Sequence, residues 1–149
     1  MLKEKLGEDL KSAMRAGDRS RVSIIRLVRA GIKYAEVAKG ATLDESGVIS
    51  VIMKEIREHR DSLAEFKKAN RTDLTKKNEE ELEILLEYLP QQMSREEIAA
   101  AAQEVIAQIG ARGTADKGKV MPVLMAQLRG KADGRDVNEV VSDLLAKMS

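Results

Sequence analysis

The chain has 149 residues, enough for one domain or two small ones, with 34% charged and 43% hydrophobic residues and three aromatics, Tyr34, Phe66 and Tyr88. No apolar run approaches the ~18 residues of a membrane span, "MLKEKLGEDLKSAM" lacks a signal-peptide core, and the absence of cysteine excludes disulfide and thiol chemistry. The net charge of +1 conceals balances of +5 over residues 1–40, −6 over 41–110 and +2 over 111–149, so a polyanionic partner suits only the ends, and a cytoplasmic protein is expected.

Helical spacing runs through the whole chain. Leu2, Leu6, Leu10 and Met14 predict a first helix ending at Ala16-Gly17-Asp18. Val22, Ile25, Val28, Ile32 and Ala35 predict a second, from about Asp18 to Val37. Thr42 with Glu45 has the spacing of a capping box, and Val48, Ile52, Ile56, Leu63 and Phe66 carry a third helix to about Ala69. Leu74, Leu82, Leu85, Leu86 and Leu89 mark a fourth, which Pro90 ends. Ser94 and Glu97 repeat the capping box before Ile98, Ala101, Val105 and Ile109, and Gly110 stops this fifth helix. Val120, Leu124 and Leu128 predict a sixth, starting near Gly118 or Lys119 so that Pro122 falls in its first turn. Asn138 to Met148 forms the last. No segment alternates with the period of a strand. The expected fold is all-α, an N-terminal long-helix bundle over residues 1–90 and a compact C-terminal three-helix module over 91–149.

The segments "SIIRLVRAGIKYAE" (23–36), "HRDSLAEFKKANRTDL" (59–74), "LEYLPQQMS" (86–94) and "GKVMPVLMAQLRGKADGRDV" (118–137) stand in one order along the chain. Together they resemble the small bacterial YqeY-like proteins, which are related to the tail domain of the B subunit of the tRNA-dependent amidotransferase. The resemblance covers essentially the whole chain. It implies a two-part helical fold, contact with tRNA, and an association with glutamine-dependent carbon–nitrogen ligation in translation. It implies no activity for this chain alone, because the amidotransferase's chemistry lies outside its tail domain.

Catalysis by a nucleophile needs a base and an orienting group, and His59 is the sole histidine. Asp61 and Ser62 leave its helix on other sides. Glu55 shares its face, but two ligands fall short of the three or four that zinc takes. No catalytic residue, metal site or cofactor is therefore assigned, and His59 is expected to be a partly exposed helix residue. Two carboxylates converging on His59 in a deep pocket would be the observation that favours chemistry there. The run Glu79-Glu80-Glu81-Glu83-Glu87 fans around a helix and reads as a solvated face. Arg60 with Asp61 and Arg71 with Asp73 are candidates for buried ion pairs locking the third helix onto the fourth.

Between Arg112 and Arg135 six basic residues face two acidic ones. Gly118, Gly130, Asp133 and Gly134 read as the punctuation of two helix starts. Lys117, Lys119, Arg129, Lys131 and Arg135 bracket those starts, where free N–H groups favour phosphate. The leading expectation is a non-catalytic tRNA-binding or amidotransferase-associated protein that uses these five residues. A protein-interaction adaptor without RNA contact, whose partner is the amidotransferase or another translation protein, is the alternative. A part in a carbon–nitrogen ligase ranks third. No membrane contact is expected, and the oligomeric state is open.

Overall fold

The computed structural model describes residues 1–148; residue 149, the last of the predicted second unit, lies outside the described residues. Among the described residues there are seven α-helices, a single 3₁₀ turn at Thr114–Asp116 and no strand. The helices are α1 (Leu2–Ala16), α2 (Arg19–Lys39), α3 (Glu45–Lys68), α4 (Thr72–Leu86), α5 (Arg95–Ile109), α6 (Lys117–Leu128) and α7 (Gly134–Met148). The all-α expectation holds. None of these helices is long and apolar enough to cross a membrane. Packing divides the chain into a unit spanning Met1–Leu89 and a second unit that begins at Pro90.

In the first unit α1 to α4 pack around Leu6, Leu10, Ile24, Ile25, Val28, Ile32, Val48, Ile52, Ile56 and Leu85. Each such side chain, fully removed from water, contributes about 1.5–3 kcal/mol before entropy is counted. Gly31 lets α2 and α3 approach closely, since a Cβ there would lie 3.0 Å from Val51 Cγ1. The predicted capping box at Thr42 and Glu45 is not formed. Asp44 stands directly before the first helical residue with an extended backbone, and its Oδ1 accepts the Gly47 N–H at 2.8 Å. Glu45 instead accepts the Leu2 N–H at 2.9 Å.

The fourth helix ends three residues earlier than expected, at Leu86. Pro90 disfavours a helical Leu89, and the chain tightens into i→i+3 turns, with Tyr88 N–H donating to Leu85 O and Leu89 N–H to Leu86 O, each at 3.2 Å. The turn places the Tyr88 hydroxyl on α1, where it donates to Asp9 Oδ2 at 2.5 Å beneath the Lys5 ammonium. Burial, reinforced by that bond, holds the Tyr88 phenol well above its ordinary range.

In the second unit α5, α6 and α7 enclose Ile98, Ala102, Val105, Val120, Leu124, Val137, Val141 and Leu145. The capping box at Ser94 and Glu97 forms with both of its bonds. Two expectations are corrected. The last helix begins at Gly134, four residues before Asn138, because Asp133 caps it through the Arg135 N–H at 2.9 Å and Val137 extends its apolar stripe. The sixth begins at Lys117, so Pro122 stands in its second turn. Pro122 has no N–H to donate to the Gly118 carbonyl, and Gly118 is exposed, so water can serve that carbonyl instead.

Candidate functional site

Along α3 the residues Ile52, Glu55, His59, Ser62 and Phe66 follow steps of three and four and share one face. On α4 the same spacing joins Leu74, Asn78, Glu81 and Leu85. Where these two lines meet, the apolar packing gives way to a cleft of about 340 Å³. Its walls include Glu55, His59 and Ser62 from α3 and Asn78 and Glu81 from α4, with Leu27, Phe66 and Leu74 as apolar cover.

His59 is the centre of this cleft. Its Nδ1 lies 2.9 Å from the Glu55 carbonyl oxygen, and because a carbonyl can only accept, Nδ1 carries the proton. Its Nε2 therefore faces the opposite helix, 3.5 Å from Glu81 Oε1. The Glu55 carboxylate lies 4.0 Å from Nδ1. The His59, Glu55 and Glu81 side chains are only 11%, 13% and 14% exposed. Asn78 is 6% exposed, and its Oδ1 has no hydrogen-bond partner. Burial first, then the neighbouring Glu58 charge, pushes the Glu55 carboxyl above the usual carboxylate range against the opposing pull of His59 and Lys54. Among the described residues no group of three or more His, Asp or Glu is placed to hold a metal ion.

One expectation for this region holds and one changes. His59 is partly exposed on its helix, as expected, although α4 covers most of its side chain. The acidic run is solvated at Glu79, Glu80, Glu83 and Glu87, but Glu81 is not. Sequence reasoning missed Glu81 as a partner of His59 and Asn78 as a wall of the same cleft. The available signal was their spacing, since both occupy positions that the Leu74–Leu85 stripe would give to apolar residues.

The predicted ion-pair residues lie elsewhere. Arg71 Nε pairs with Asp73 Oδ1 at 3.5 Å, and the guanidinium holds the Asp73 carboxyl below its usual range. Both side chains are more than half exposed, so the pair decorates the start of α4 and is no buried lock between helices. Arg60 is half-buried and Asp61 exposed. A turn open to water offers nothing that would desolvate these charges.

The basic segment of the second unit is arranged differently again. Lys119, Arg129, Lys131 and Arg135 are exposed and Lys117 half-buried, around the starts of α6 and α7. Gly118 and Gly134 lie in the first turns of those helices, and Gly130 has a left-handed φ of 79° between them. Each start carries its own carboxylate. Asp116 lies 3.6 Å from Lys119 Nζ and accepts the Arg112 N–H at 2.9 Å, which depresses its carboxyl. Asp133, 5% exposed, lies 4.0 Å from Arg135 Nε. The loop carbonyls are also filled, Lys131 O by the Met93 N–H at 2.9 Å and Gly130 O by Gln92 Nε2 at 2.8 Å.

Comparison with known proteins adds a family and a set of relatives. The pattern of the Yqey-like protein family matches residues 3–145. A protein of Lachancea thermotolerans named altered inheritance of mitochondria protein 41, mitochondrial, is 44% identical over 87 residues, covering 58% of this chain and 46% of the relative. Its namesake in Kluyveromyces lactis is 41% identical over 105 residues, covering 68% and 56%. That of Pyrenophora tritici-repentis is 30% identical over 148 residues, covering 95% and 79%. The chain thus spans about half the length of the first two relatives. These names overturn two expectations. The relatives are named for mitochondrial inheritance, not for tRNA binding or amidotransferase association, and as mitochondrial rather than cytoplasmic proteins.

Proposed function

The chain belongs to the Yqey-like family, and from that premise we propose that it is a ligand-binding helical protein whose binding site is the α3–α4 cleft. In this reading the molecule is an N-terminal long-helix bundle, which carries the cleft, followed by a compact C-terminal three-helix module. The observation that carries the proposal is Asn78, buried at 6% exposure with an oxygen that nothing in the chain satisfies. Leaving such a group unpaired costs about 1–3 kcal/mol, and a leucine on that stripe would avoid the cost. A ligand that hydrogen-bonds Asn78 recovers the loss. The cleft's size and its mixture of apolar cover with a few convergent polar groups fit a small molecule. The relatives' names support a role for the family in mitochondrial inheritance; the ligand proposal is compatible with such a role and does not depend on it.

The test is a titration of the isotopically labelled full chain with n-butylammonium, acetamide and acetate, each followed by amide chemical shifts. At least one probe is expected to shift resonances of residues 55–62 and 77–81 saturably, leaving α5 to α7 unmoved. If none of the three perturbs that region, the cleft is not a ligand site.

A further inference from the structure

The polar groups of the cleft are carboxylates, the His59 ring and the Asn78 amide, and its side-chain donors besides His59 are the Ser62 hydroxyl, the Asn78 amide nitrogen and Lys77. With the Nδ1 proton committed to the Glu55 carbonyl, a neutral His59 presents the Nε2 lone pair to Glu81 Oε1 at 3.5 Å. In that tautomer two acceptors face each other at that distance. The Glu55 carboxylate stands on the other side of the ring, and the unpartnered Asn78 Oδ1 belongs to the same wall. The lining carries three carboxylates, Glu55, Glu58 and Glu81, against one lysine, the exposed Lys77.

Resting on the ligand reading of this cleft, we propose that its ligand is a primary ammonium on a short apolar stem, held by His59 Nε2, Glu81 and Asn78. An –NH₃⁺ group brings three donors and a full charge, one for each of three acceptors. Leu27, Phe66 and Leu74 supply apolar surface for the stem. The chain's own cations do not already fill the place. Lys77 lines the cleft but is exposed, and Lys54, also exposed, lies 4.0 Å from Glu58.

The proposal carries a regulatory consequence. A proton on Nε2 and a ligand ammonium satisfy the same acceptors, so they exclude one another. The groups facing His59 are Glu55 and Glu58 from α3 and Lys77 and Glu81 from α4, while α2 contributes the apolar Leu27. Ammonium binding therefore expels the Nε2 proton, and by linkage acid weakens ammonium binding by the same factor by which ammonium weakens protonation. The cleft would take up its ligand when the His59 ring is neutral and release it when the ring is protonated.

His59 is the only histidine, so its ring resonance reports the site without ambiguity. The full chain is titrated with n-butylammonium at a series of pH values from neutral into acid, with the ring resonance reporting the protonation state of His59 at each. Saturable binding is expected where the ring is neutral, and weaker binding where it is protonated. Tetramethylammonium, which has charge but no N–H, is expected to bind at least about tenfold less well. Glu81→Gln keeps the shape and is expected to lose most of the affinity. Should that variant misfold, Asn78→Ser, which shortens the acceptor, is expected to weaken binding likewise while His59 stays in place. Equal binding of tetramethylammonium, or equal affinity for the neutral-ring and protonated-ring forms, overturns the proposal. Shifts from acetamide or acetate without any from butylammonium overturn it too but leave the cleft as a ligand site, whereas silence from all probes removes both readings.

Discussion

The acceptor-lined cleft between α3 and α4 and the lysine-rich turn between α6 and α7 are the two polar concentrations of this molecule, and they are built on opposite principles. In the turn nearly every polar group is answered from within the second unit. Asp116 and Asp133 sit at the helix starts, the Lys131 and Gly130 carbonyls are taken by Met93 and Gln92, and the cations stand in water. In the cleft like faces like, Nε2 against a carboxylate oxygen, with a buried amide oxygen left over. The turn has the greater charge density and the cleft the greater deficit. A site announces itself by what is left unsatisfied, because water already answers exposed charge.

The contrast predicts opposite signs for removing a polar group in the two places. Asn78→Leu puts an apolar side chain on the apolar line of α4 and removes the uncompensated oxygen. It is expected to raise unfolding stability by about 1–3 kcal/mol while abolishing ligand binding, as measured by urea denaturation alongside the butylammonium titration. A stability loss would mean that Asn78 is satisfied in solution and that the cleft holds no deficit. In the turn, Asp133→Ala deletes the cap of α7 and the partner of Arg135. The loss expected there is about 1 kcal/mol, read in the same denaturation experiment; an unchanged midpoint would place the turn's order elsewhere.

How much of this was legible beforehand differs between the two places for a physical reason. The turn is local: its glycines, caps and charges lie within twenty residues of each other, and the sequence order already shows which groups can meet. Even so, the expected start of α7 at Asn138 falls four residues late, because only the packing of Val137 shows that the helix is already under way there. The cleft is non-local. His59 and Glu55 could be placed on one face from spacing, whereas the approach of Glu81 and Asn78 depends on how α4 rotates against α3. The acidic run hid that rotation, since five glutamates around a helix look alike until one of them is turned inward. The all-α class was readable throughout because apolar steps of three and four recur in every segment.

The smallest predicted effect sharpens the comparison most finely, because it asks each region for its response to protons. Glu55 in the folded cleft holds its proton more tightly than in the unfolded chain, through burial and then the Glu58 charge. A raised folded value means that stability falls as pH rises from the ordinary glutamate value of 4.5 through the folded one, and is regained on acidification. Asp116 in the turn is depressed, chiefly by the Arg112 N–H, so its contribution is present above the ordinary aspartate value of 3.8 and is lost as pH falls through the folded value. Glu55→Gln should therefore equal or exceed the wild type in stability at neutral pH, with the gap closing in acid. Asp116→Asn should fall slightly below it at neutral pH, with that gap also closing in acid. Urea midpoints of the three proteins from about pH 3 to pH 7 decide the matter. If Glu55→Gln is the less stable protein at neutral pH, the Glu55 carboxylate is a net partner of His59, and the cleft would be internally satisfied in the same way as the turn.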